Sequence, residues 1–303
     1  MNANKTKNRL SIAFILNLLF TVFEFVGGLL TNSIALLSDS IHDLGDSLSI
    51  GLSMILESKS KKKPDKIYTY GYKRYSLLGG LISSVVLLIG STIIIIKAIP
   101  RLIHPEMIDV NTVLWFAVIG IVVNGIAALN ASKGKSINEK VISLHLFEDV
   151  LGWVALLIAS IIMSFSDFYI LDAILSIVFT LYILFHVFKN MRQIVYVFLE
   201  KAPTEPSISS IKKTLIDGKI ILDIHHIHYW SLEGEIPLLT LHAVIKQDTS
   251  KEELMKAQEK MHQLLEELKI LHATIEIEFE NSKCHGKDCE DLETAQSFNH
   301  HHH

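Results

Sequence analysis

Six long apolar segments constrain what this chain can fold into. Each meets the requirement of ~20 residues for an α-helix that crosses a bilayer. They lie at residues 10–30, 33–57, 76–99, 111–131, 143–165 and 168–189. The last hundred residues instead alternate charged and apolar side chains, as soluble domains do. We therefore predict an α-helical membrane protein with six transmembrane helices (residues 1–200), followed by a soluble domain (201–281) and a flexible tail (282–303).

Composition agrees with this class. Half of the 303 residues are hydrophobic and 20% are charged, below the roughly 25% of an average soluble domain. A net charge of −4 argues against nucleic acid as a partner. The first apolar segment is long and lacks a small-residue cleavage site, so we expect no cleavable signal peptide. Only two cysteines occur, both near the C-terminus, so no disulfide framework is expected.

Basic residues predict the orientation. They cluster before the first segment, between the second and third, beside the fourth and after the sixth, whereas the opposite side has only Arg101. The clusters comprise Lys5, Lys7, Arg9, Lys59, Lys61, Lys62, Lys63, Lys66, Lys73, Arg74, Lys133, Lys135, Lys140, Lys189, Arg192 and Lys201. The positive-inside rule then places both termini in the cytoplasm, in agreement with an even number of spans.

The soluble part reads as α-β-β-α-β, which predicts an α+β sandwich of ferredoxin-like type. A helix is expected over 205–217 and strands over 220–231 and 236–246. Ser250 and Glu253 have the spacing of a capping box before the second helix, and its apolar stripe comprises Leu254, Met261, Leu264, Leu265 and Leu268. A half-buried last strand with one acidic face is expected because Ile275, Ile277 and Phe279 alternate with Glu276, Glu278 and Glu280. His300–His303 resemble an expression tag and carry no functional argument.

Two H-x-x-x-D sequences, called tetrads below for their four-residue spacing, lie inside apolar segments: His42 with Asp46, and His145 with Asp149. Residues four apart on a helix share one face, one turn apart. A charged Asp at mid-membrane costs roughly 2.5–3.5 kcal/mol, and neither segment has a Lys or Arg to offset it. Coordination of a dication would offset this cost. Two imidazoles and two carboxylates form a tetrahedral N2O2 set suited to Zn2+.

Other polar residues in these segments are weaker candidates. Asp39 lies three residues before His42 on a similar face, where it could attract the ion or simply pack at a helix entrance. Asp43 and Glu148 point about 100° away from the tetrads. A further four polar residues either function directly or form helix–helix hydrogen bonds, and the second role is the simpler one. These are Asn17, Glu24, Asn124 and Asp172.

A site of this kind binds protons as well as metal. Imidazole titrates near pH ~6.5 and a carboxylate near ~4, so protons compete with the metal for the same lone pairs. If the site faces the two sides of the membrane alternately, an inward proton gradient can drive metal release outside. Proton antiport is therefore the expected mechanism, with His42 and His145 as the proton carriers.

Several stretches resemble the cation diffusion facilitator family, most closely its zinc-transporting branch. The first is GLLTNSIALLSDSIH at residues 28–42. The others are YGYKR at 70–74, SLHLFED at 143–149, HHIHYWSL at 225–232, LHA at 241–243 and HATIEIE at 272–278. Together they cover about residues 8–290.

The resemblance implies a homodimer of six-span protomers that exports Zn2+ in exchange for protons. It assigns the transport-site ligands to His42, Asp46, His145 and Asp149, and His42 favours zinc over cadmium. Relatives with a zinc site in the loop before the third span use a His where this chain has Tyr68 to Tyr72, so that site is expected to be absent. The resemblance also pairs Arg74 with Glu200 as a charge interlock between protomers. A plain surface ion pair is the alternative.

The resemblance further implies a second metal site in the soluble domain. His225, His242 and Glu278 fall where relatives bind zinc, with a role in dimer stabilisation or zinc sensing. Cys284 and Cys289 form an additional soft-ligand pair, although their C-x4-C spacing departs from the usual C-x-x-C. Solvated histidines and reduced cytosolic thiols are the alternative explanation.

Competing functions remain open at this point. Cd2+, Co2+, Fe2+ or Mn2+ could use the same membrane site. A membrane metallohydrolase would need an open coordination position and a base, for which Glu148 is the candidate. Four ligands fill the shell, however, and no H-E-x-x-H sequence occurs, so a non-enzymatic transporter is favoured. A metal sensor would not need six spans. The compact length suggests a bacterial plasma membrane, by analogy only.

Overall fold

A computed structural model describes residues 3–132, 137–216 and 218–282. The chain forms two compact units, Met1–Arg192 and Gln193–His303.

Six long helices make up the first part of the chain. They are α1 (Ala3–Thr31), α2 (Ile34–Ser60), α3 (Tyr75–Ile103), α4 (Val110–Ser132), α5 (Ile137–Ser166) and α6 (Ile170–Phe198). Each helix contains one of the six apolar segments almost completely and extends beyond it at one end or both.

Within the described residues, five helices include a stretch that is long and apolar enough to cross a membrane. These stretches are Phe14–Thr31, Tyr75–Ile103, Val110–Asn130, Leu146–Ser166 and Ile170–Phe198. Helix α2 is not among them because Asp39, Asp43 and Asp46 fall within its apolar half. The helix that carries the first tetrad is thus also the most polar of the six.

A tight turn joins α1 to α2, and a buried carboxylate of α6 caps the second helix. Asn32 adopts a left-handed conformation with φ +58°. Asp172 is 2% exposed. It accepts hydrogen bonds from Ser33 Oγ at 2.5 Å, from the Ile34 backbone N–H at 2.7 Å and from the Ala35 backbone N–H at 3.3 Å. A negative group at a helix N-terminus satisfies unpaired N–H groups and complements the helix dipole.

Glycines bring α2 and α3 close together around the first tetrad. A side chain added at Gly45 would collide with Leu87, and one added at Gly90 would approach Ile41 Cγ2 to 2.7 Å. Gly45 lies between His42 and Asp46 in sequence, so this close approach determines where the tetrad-bearing part of α2 lies against α3. Trp153 of α5, one turn beyond Asp149, is buried in a core cluster with Leu36 of α2.

The second unit has the predicted order α-β-β-α-β. Its elements are α7 (Ile208–Leu215), β1 (Ile221–Ser231), β2 (Pro237–Ile245), α8 (Lys251–Glu267) and β3 (His272–Phe279). Strand β2 lies in the middle of the sheet, antiparallel to β1 and parallel to β3. The helix expected over 205–217 is shorter, because Ser207 caps its N-terminus and the backbone turns extended at Ile216.

One face of this sheet forms the core of the unit. Ile224 and Leu241 from the strands pack with Ile211 of α7 and with Met261 and Leu265 of α8, and all five are nearly inaccessible to solvent. The predicted stripe of α8 therefore faces the core.

The capping box of α8 is confirmed. Ser250 Oγ accepts from the Glu253 backbone N–H at 3.3 Å, and Glu253 Oε2 accepts from the Ser250 backbone N–H at 3.0 Å. Hydrogen bonds from the backbone and then the side chain of Ser250 lower the pKa of Glu253.

The alternation expected for the last strand is wrong at its last two residues, Glu278 and Phe279. Phe279 is 38% exposed, whereas the side chain of Glu278 is only 12% exposed. The strand ends at Phe279, so the core no longer covers its last apolar residue. Glu278 instead faces His242 of the adjacent strand β2 and His225 of β1.

Candidate metal sites

Helix α2 places His42 and Asp46 on one face. The Nε2 atom of His42 lies 3.8 Å from Oδ2 of Asp46, and the two side chains are 25% and 30% exposed. This is the one-turn spacing that the sequence predicts.

Helix α5 brings a second carboxylate to the same imidazole. His42 Nε2 lies 4.0 Å from Oδ1 of Asp149, whose side chain is 15% exposed. The two helices are far apart in sequence, so this approach is a tertiary contact. The backbone of His145 lies in α5 one turn before Asp149, and its side chain lies outside the part of the chain that the structure describes.

Both described carboxylates lie near the imidazole of His42. A tetrahedral zinc with bonds of ~2.0 Å to nitrogen and oxygen separates its ligand atoms by ~3.3 Å. Each carboxylate lies slightly further than this from His42 Nε2, at 3.8 Å and 4.0 Å. Among the described residues, these three ligand atoms do not all lie within 4.8 Å of one another, so the two carboxylates would have to move toward each other to share one ion. Two carboxylates and an imidazole suit a divalent cation of borderline softness.

Other polar residues border this cluster. Asp43 is 8% exposed, and the Asn17 side-chain amide donates to its backbone carbonyl at 3.3 Å and to Ser47 Oγ at 3.0 Å. Asp39 is half-buried and Glu148 is exposed. Asn17 thus forms the expected helix–helix bonds, whereas Asn124 donates within its own helix to the Gly120 carbonyl. Glu24 is fully buried, and no short-range pattern in the sequence around it indicates its surroundings.

The sheet of the second unit brings together His225, His242 and Glu278. His242 Nδ1 lies 2.7 Å from Glu278 Oε1, and His225 Nε2 lies 3.2 Å from Glu278 Oε2. These side chains are 9%, 14% and 12% exposed for His225, His242 and Glu278 respectively. One ligand atom from each lies within 4.8 Å of the others. The three residues could therefore hold one metal ion.

Further histidines and acids surround this sheet cluster. His226 has φ +49° within an irregularity of β1, and its Nε2 lies 3.2 Å from that of His228. Glu276, on the exposed face, lies 3.4 Å from His242 Nε2. The irregularity between His225 and His228 interrupts the alternation of β1. The alternation of the sequence alone therefore does not show which of these histidines faces Glu278. Cys284 and Cys289 lie outside the described residues.

The remaining predicted residues occupy the ends of helices. Arg74 directly precedes α3, and Glu200 follows α6 with φ +57°. In the preceding loop, the Tyr72 hydroxyl donates to Asp65 Oδ2 at 2.6 Å, which raises the pKa of Tyr72 to about 12.

The apolar helices define an integral membrane protein. The imidazole of α2 and the carboxylates of α2 and α5 are side chains of the kinds that bind divalent cations. The chain belongs to the cation efflux family, whose transmembrane domain model matches residues 10–199. This match confirms the resemblance drawn from the sequence motifs. It also assigns the chain to a family of transporters rather than enzymes.

Curated relatives match along nearly the whole chain. The zinc transporter ZitB of Yersinia pseudotuberculosis is 32% identical over 99% of this chain and 96% of its own length. The cadmium, cobalt and zinc/H(+)-K(+) antiporter of Bacillus subtilis is 31% identical over 99% of this chain and 98% of its own. ZitB of Escherichia coli is 30% identical over 97% and 94%.

Proposed function

We propose that this protein exports Zn2+ from the cytoplasm in exchange for protons, with His42, Asp46, His145 and Asp149 as the ligands of the transported ion. One observation carries the proposal. His42 of α2 lies 3.8 Å from Asp46 of its own helix and 4.0 Å from Asp149 of α5, between helices that are otherwise apolar. Ionisable side chains at such a position are costly and are retained for function.

The ligand set accounts for both binding and release. Two carboxylates neutralise the two charges of the ion, so the occupied site enters the low-dielectric region without net charge from these groups. Protons displace the ion by occupying the imidazole and carboxylate lone pairs. When the site opens to the more acidic outer side, protonation of His42 and His145 favours release. When it opens inward, deprotonation favours binding.

In the membrane, α1 to α6 serve as six spans with both termini in the cytoplasm. Helix α2 enters the bilayer despite its three Asp residues because their side chains face other helices and the transported ion rather than lipid. The relatives are bacterial, which supports a bacterial plasma membrane. A homodimer joined in part by Arg74 and Glu200 completes the arrangement.

Zinc is the preferred cargo, supported by the names of the ZitB relatives. The Bacillus relative is named for cadmium and cobalt as well as zinc, and for K+ as well as protons as counter-ion. His42 favours zinc in this chain, because an imidazole with carboxylates suits Zn2+ better than an all-oxygen set, which suits hard ions such as Mn2+. Competition of Cd2+ and Co2+ with labelled zinc flux tests the selectivity.

The sheet cluster serves as a second zinc site that stabilises the dimer or senses cytoplasmic zinc. Its support is the short contacts of Glu278 with His225 and His242. It lies outside the apolar helices, so it needs no release step and can hold its ion tightly.

Zinc flux into proteoliposomes, measured with internal pH, tests the transport proposal. Native protein should move zinc and protons in opposite directions. Asp46→Ala and Asp149→Ala should each reduce flux at least 100-fold, whereas Glu148→Ala is the matched control because Glu148 is exposed beside Asp149. Flux that persists in both Asp variants would place the transport site elsewhere. Zinc-dependent hydrolysis without flux would favour the metallohydrolase alternative.

A further inference from the structure

The connection between α2 and α3 is strongly basic, and the proposed transport mechanism uses this charge only for orientation. Helix α2 ends at Ser60 and α3 begins at Tyr75. The residues between them, 61–74, are called the basic loop below, because they include six basic residues and one acid, Asp65. Four of the basic residues are exposed lysines: Lys61, Lys62, Lys63 and Lys66.

The one acid of the basic loop makes its hydrogen bonds inside the loop. Asp65 Oδ1 accepts from the Ile67 backbone N–H at 2.8 Å and from the Tyr68 backbone N–H at 2.7 Å. Its Oδ2 accepts from the Tyr72 hydroxyl at 2.6 Å. The Gly71 backbone N–H donates to the Tyr68 carbonyl at 2.8 Å. The carboxylate thus closes a turn of the loop, and the exposed lysines determine the sign of the charge on its surface.

Tyrosine rings hold the basic loop against the start of α3. The rings of Tyr68 and Tyr72 are 4.4 Å apart, and that of Tyr72 lies 5.7 Å from the ring of Tyr75. Lys59 of α2 places its Nζ 4.2 Å from the centre of the Tyr75 ring. Tyr75 is also the first residue of an apolar stretch long enough to span a membrane. The loop is therefore held at the level where α3 enters the bilayer, a level at which tyrosine is common.

Apolar side chains are exposed beside these lysines. Ile67 is 81% exposed and Tyr70 is 47% exposed. A surface that combines cations with exposed apolar and aromatic side chains, next to a membrane, suits the boundary between lipid headgroups and acyl chains. An acidic protein surface would attract the lysines as well, but it would not account for the exposed isoleucine at the end of an apolar helix.

We propose that the basic loop binds the headgroups of anionic phospholipids, with its four exposed lysines at the phosphates and Ile67 in the interface. Clusters of about four to eight basic residues directly beside a membrane span are typical of such binding. The inference goes beyond the proposed function. It requires that α2 and α3 both span the membrane, and it does not depend on which ion the protein carries.

An environment-sensitive fluorophore on the basic loop tests this binding. It is attached at Thr69→Cys, an exposed position, in the full-length protein with Cys284→Ser and Cys289→Ser. Spectra are compared in nanodiscs of phosphatidylglycerol and of phosphatidylcholine. Emission should be blue-shifted in phosphatidylglycerol relative to phosphatidylcholine. The difference should largely disappear at ~1 M salt, where the Debye length falls to ~3 Å.

Two sets of lysine variants separate the loop from the charge of the whole protein. Changing the four exposed loop lysines to glutamine should remove the spectral difference, because each lysine near an anionic surface contributes about 5-fold to binding. Equal emission of this variant and the native loop in phosphatidylcholine shows that the loop stays folded. The matched control changes four exposed lysines of the second unit to glutamine and should keep the difference. These are Lys213, Lys251, Lys256 and Lys260.

A further variant tests the apolar contact. Ile67→Ser should reduce the blue shift in phosphatidylglycerol and leave its salt dependence in place, because the lysines remain. An unchanged shift in this variant overturns the role given to Ile67.

The remaining outcomes decide the proposal. Identical emission of the native loop in the two lipids overturns it, and so does an equal loss in the two sets of lysine variants. A salt-sensitive shift of the same size in phosphatidylcholine also overturns it, and would assign the lysines to an acidic protein surface. None of these measurements uses zinc, so a failure here leaves the transport proposal to its own flux test.

Discussion

The two candidate metal sites use the same side chains on different scaffolds. In the helical unit, a histidine and two aspartates are separated by 3.8 Å and 4.0 Å and are 15–30% exposed. In the sheet unit, two histidines and a glutamate approach to 2.7 Å and 3.2 Å and are 9–14% exposed. The sheet site is closed, with its ligand atoms within 4.8 Å of one another, whereas the helical site is more open.

The difference follows from how each scaffold holds its residues. His225, His242 and Glu278 lie on three hydrogen-bonded strands, and backbone ladders hold such positions at fixed spacing. Asp149 reaches His42 only through the packing of separate helices, which can shift or tilt against each other. A site that must release its ion on each cycle benefits from the second arrangement, and a site that retains its ion benefits from the first.

The largest expected effect is on zinc affinity at the sheet site, where Glu276 provides a matched control for Glu278. Glu278→Ala should weaken zinc binding there at least 100-fold, because Glu278 contacts both histidines. Glu276→Ala should change it less than about 3-fold, since its side chain is 67% exposed. Calorimetry in an Asp46→Ala, Asp149→Ala background isolates this site. Equal losses in the two variants would show that the closed geometry does not determine affinity.

Substitution of Asp172 sharpens the comparison, because it should loosen the helical scaffold and leave the sheet unchanged. In Asp172→Asn, a neutral amide replaces the carboxylate that accepts from Ser33, Ile34 and Ala35. We expect a loss of about 2 kcal/mol, the range for hydrogen bonds to a charged buried group. Thermal unfolding in detergent measures it, with Asp167→Asn as the exposed control. An unchanged midpoint would argue that the cap does not hold α2.

Gly45 tests whether close packing of α2 against α3 matters for transport. Gly45→Val should lower zinc flux about 10-fold, because overpacking costs roughly 1–3 kcal/mol and would displace His42 and Asp46. Gly125→Val is the control, since nothing lies within 4 Å of a side chain added there. Zinc affinity of the sheet site should stay the same in both. A normal flux in Gly45→Val would mean that the helical site tolerates displacement.

The smallest effect concerns the capping box under the sheet. Ser250→Ala should destabilise the second unit by about 1 kcal/mol, while Lys251→Ala should be neutral. Because hydrogen bonding lowers the pKa of Glu253 in the folded protein, its contribution is fully present above the ordinary Glu pKa of ~4.3 and is lost as the pH falls through the lower folded pKa. Urea unfolding followed by circular dichroism at pH 7 and pH 3.5 measures both. A full Ser250→Ala loss that persists at pH 3.5 would contradict the pH argument.

Local patterns predicted the local features well. The six apolar segments correspond to six helices, and most helix ends lie within a few residues of the predicted ends. Ser250 with Glu253 predicts the correct helix start, because a capping box involves only neighbouring residues. The same-face spacing of His42 and Asp46 is equally local.

Features that depend on distant residues could not be predicted in this way. Asp172 bonds to Ser33 across 139 residues of sequence, and nothing adjacent to either indicates the pairing. The alternation of β3 predicts only that Glu278 lies on an acidic strand face. The family resemblance, and not this local pattern, groups Glu278 with His225 of β1 and His242 of β2. The surroundings of Glu24 likewise depend on how α1, α2 and α5 pack.

The cap on α2 also makes this helix a lever. Its first turn is fixed by Asp172, so any tilt of α2 as a rigid rod pivots there. At 1.5 Å per residue, His42 lies ~12 Å from Ile34 and Ser60 lies ~39 Å from it. A tilt that shifts the imidazole by about 2 Å therefore moves the far end by about 6–7 Å. A small displacement at the metal becomes a large excursion at the other end of the helix.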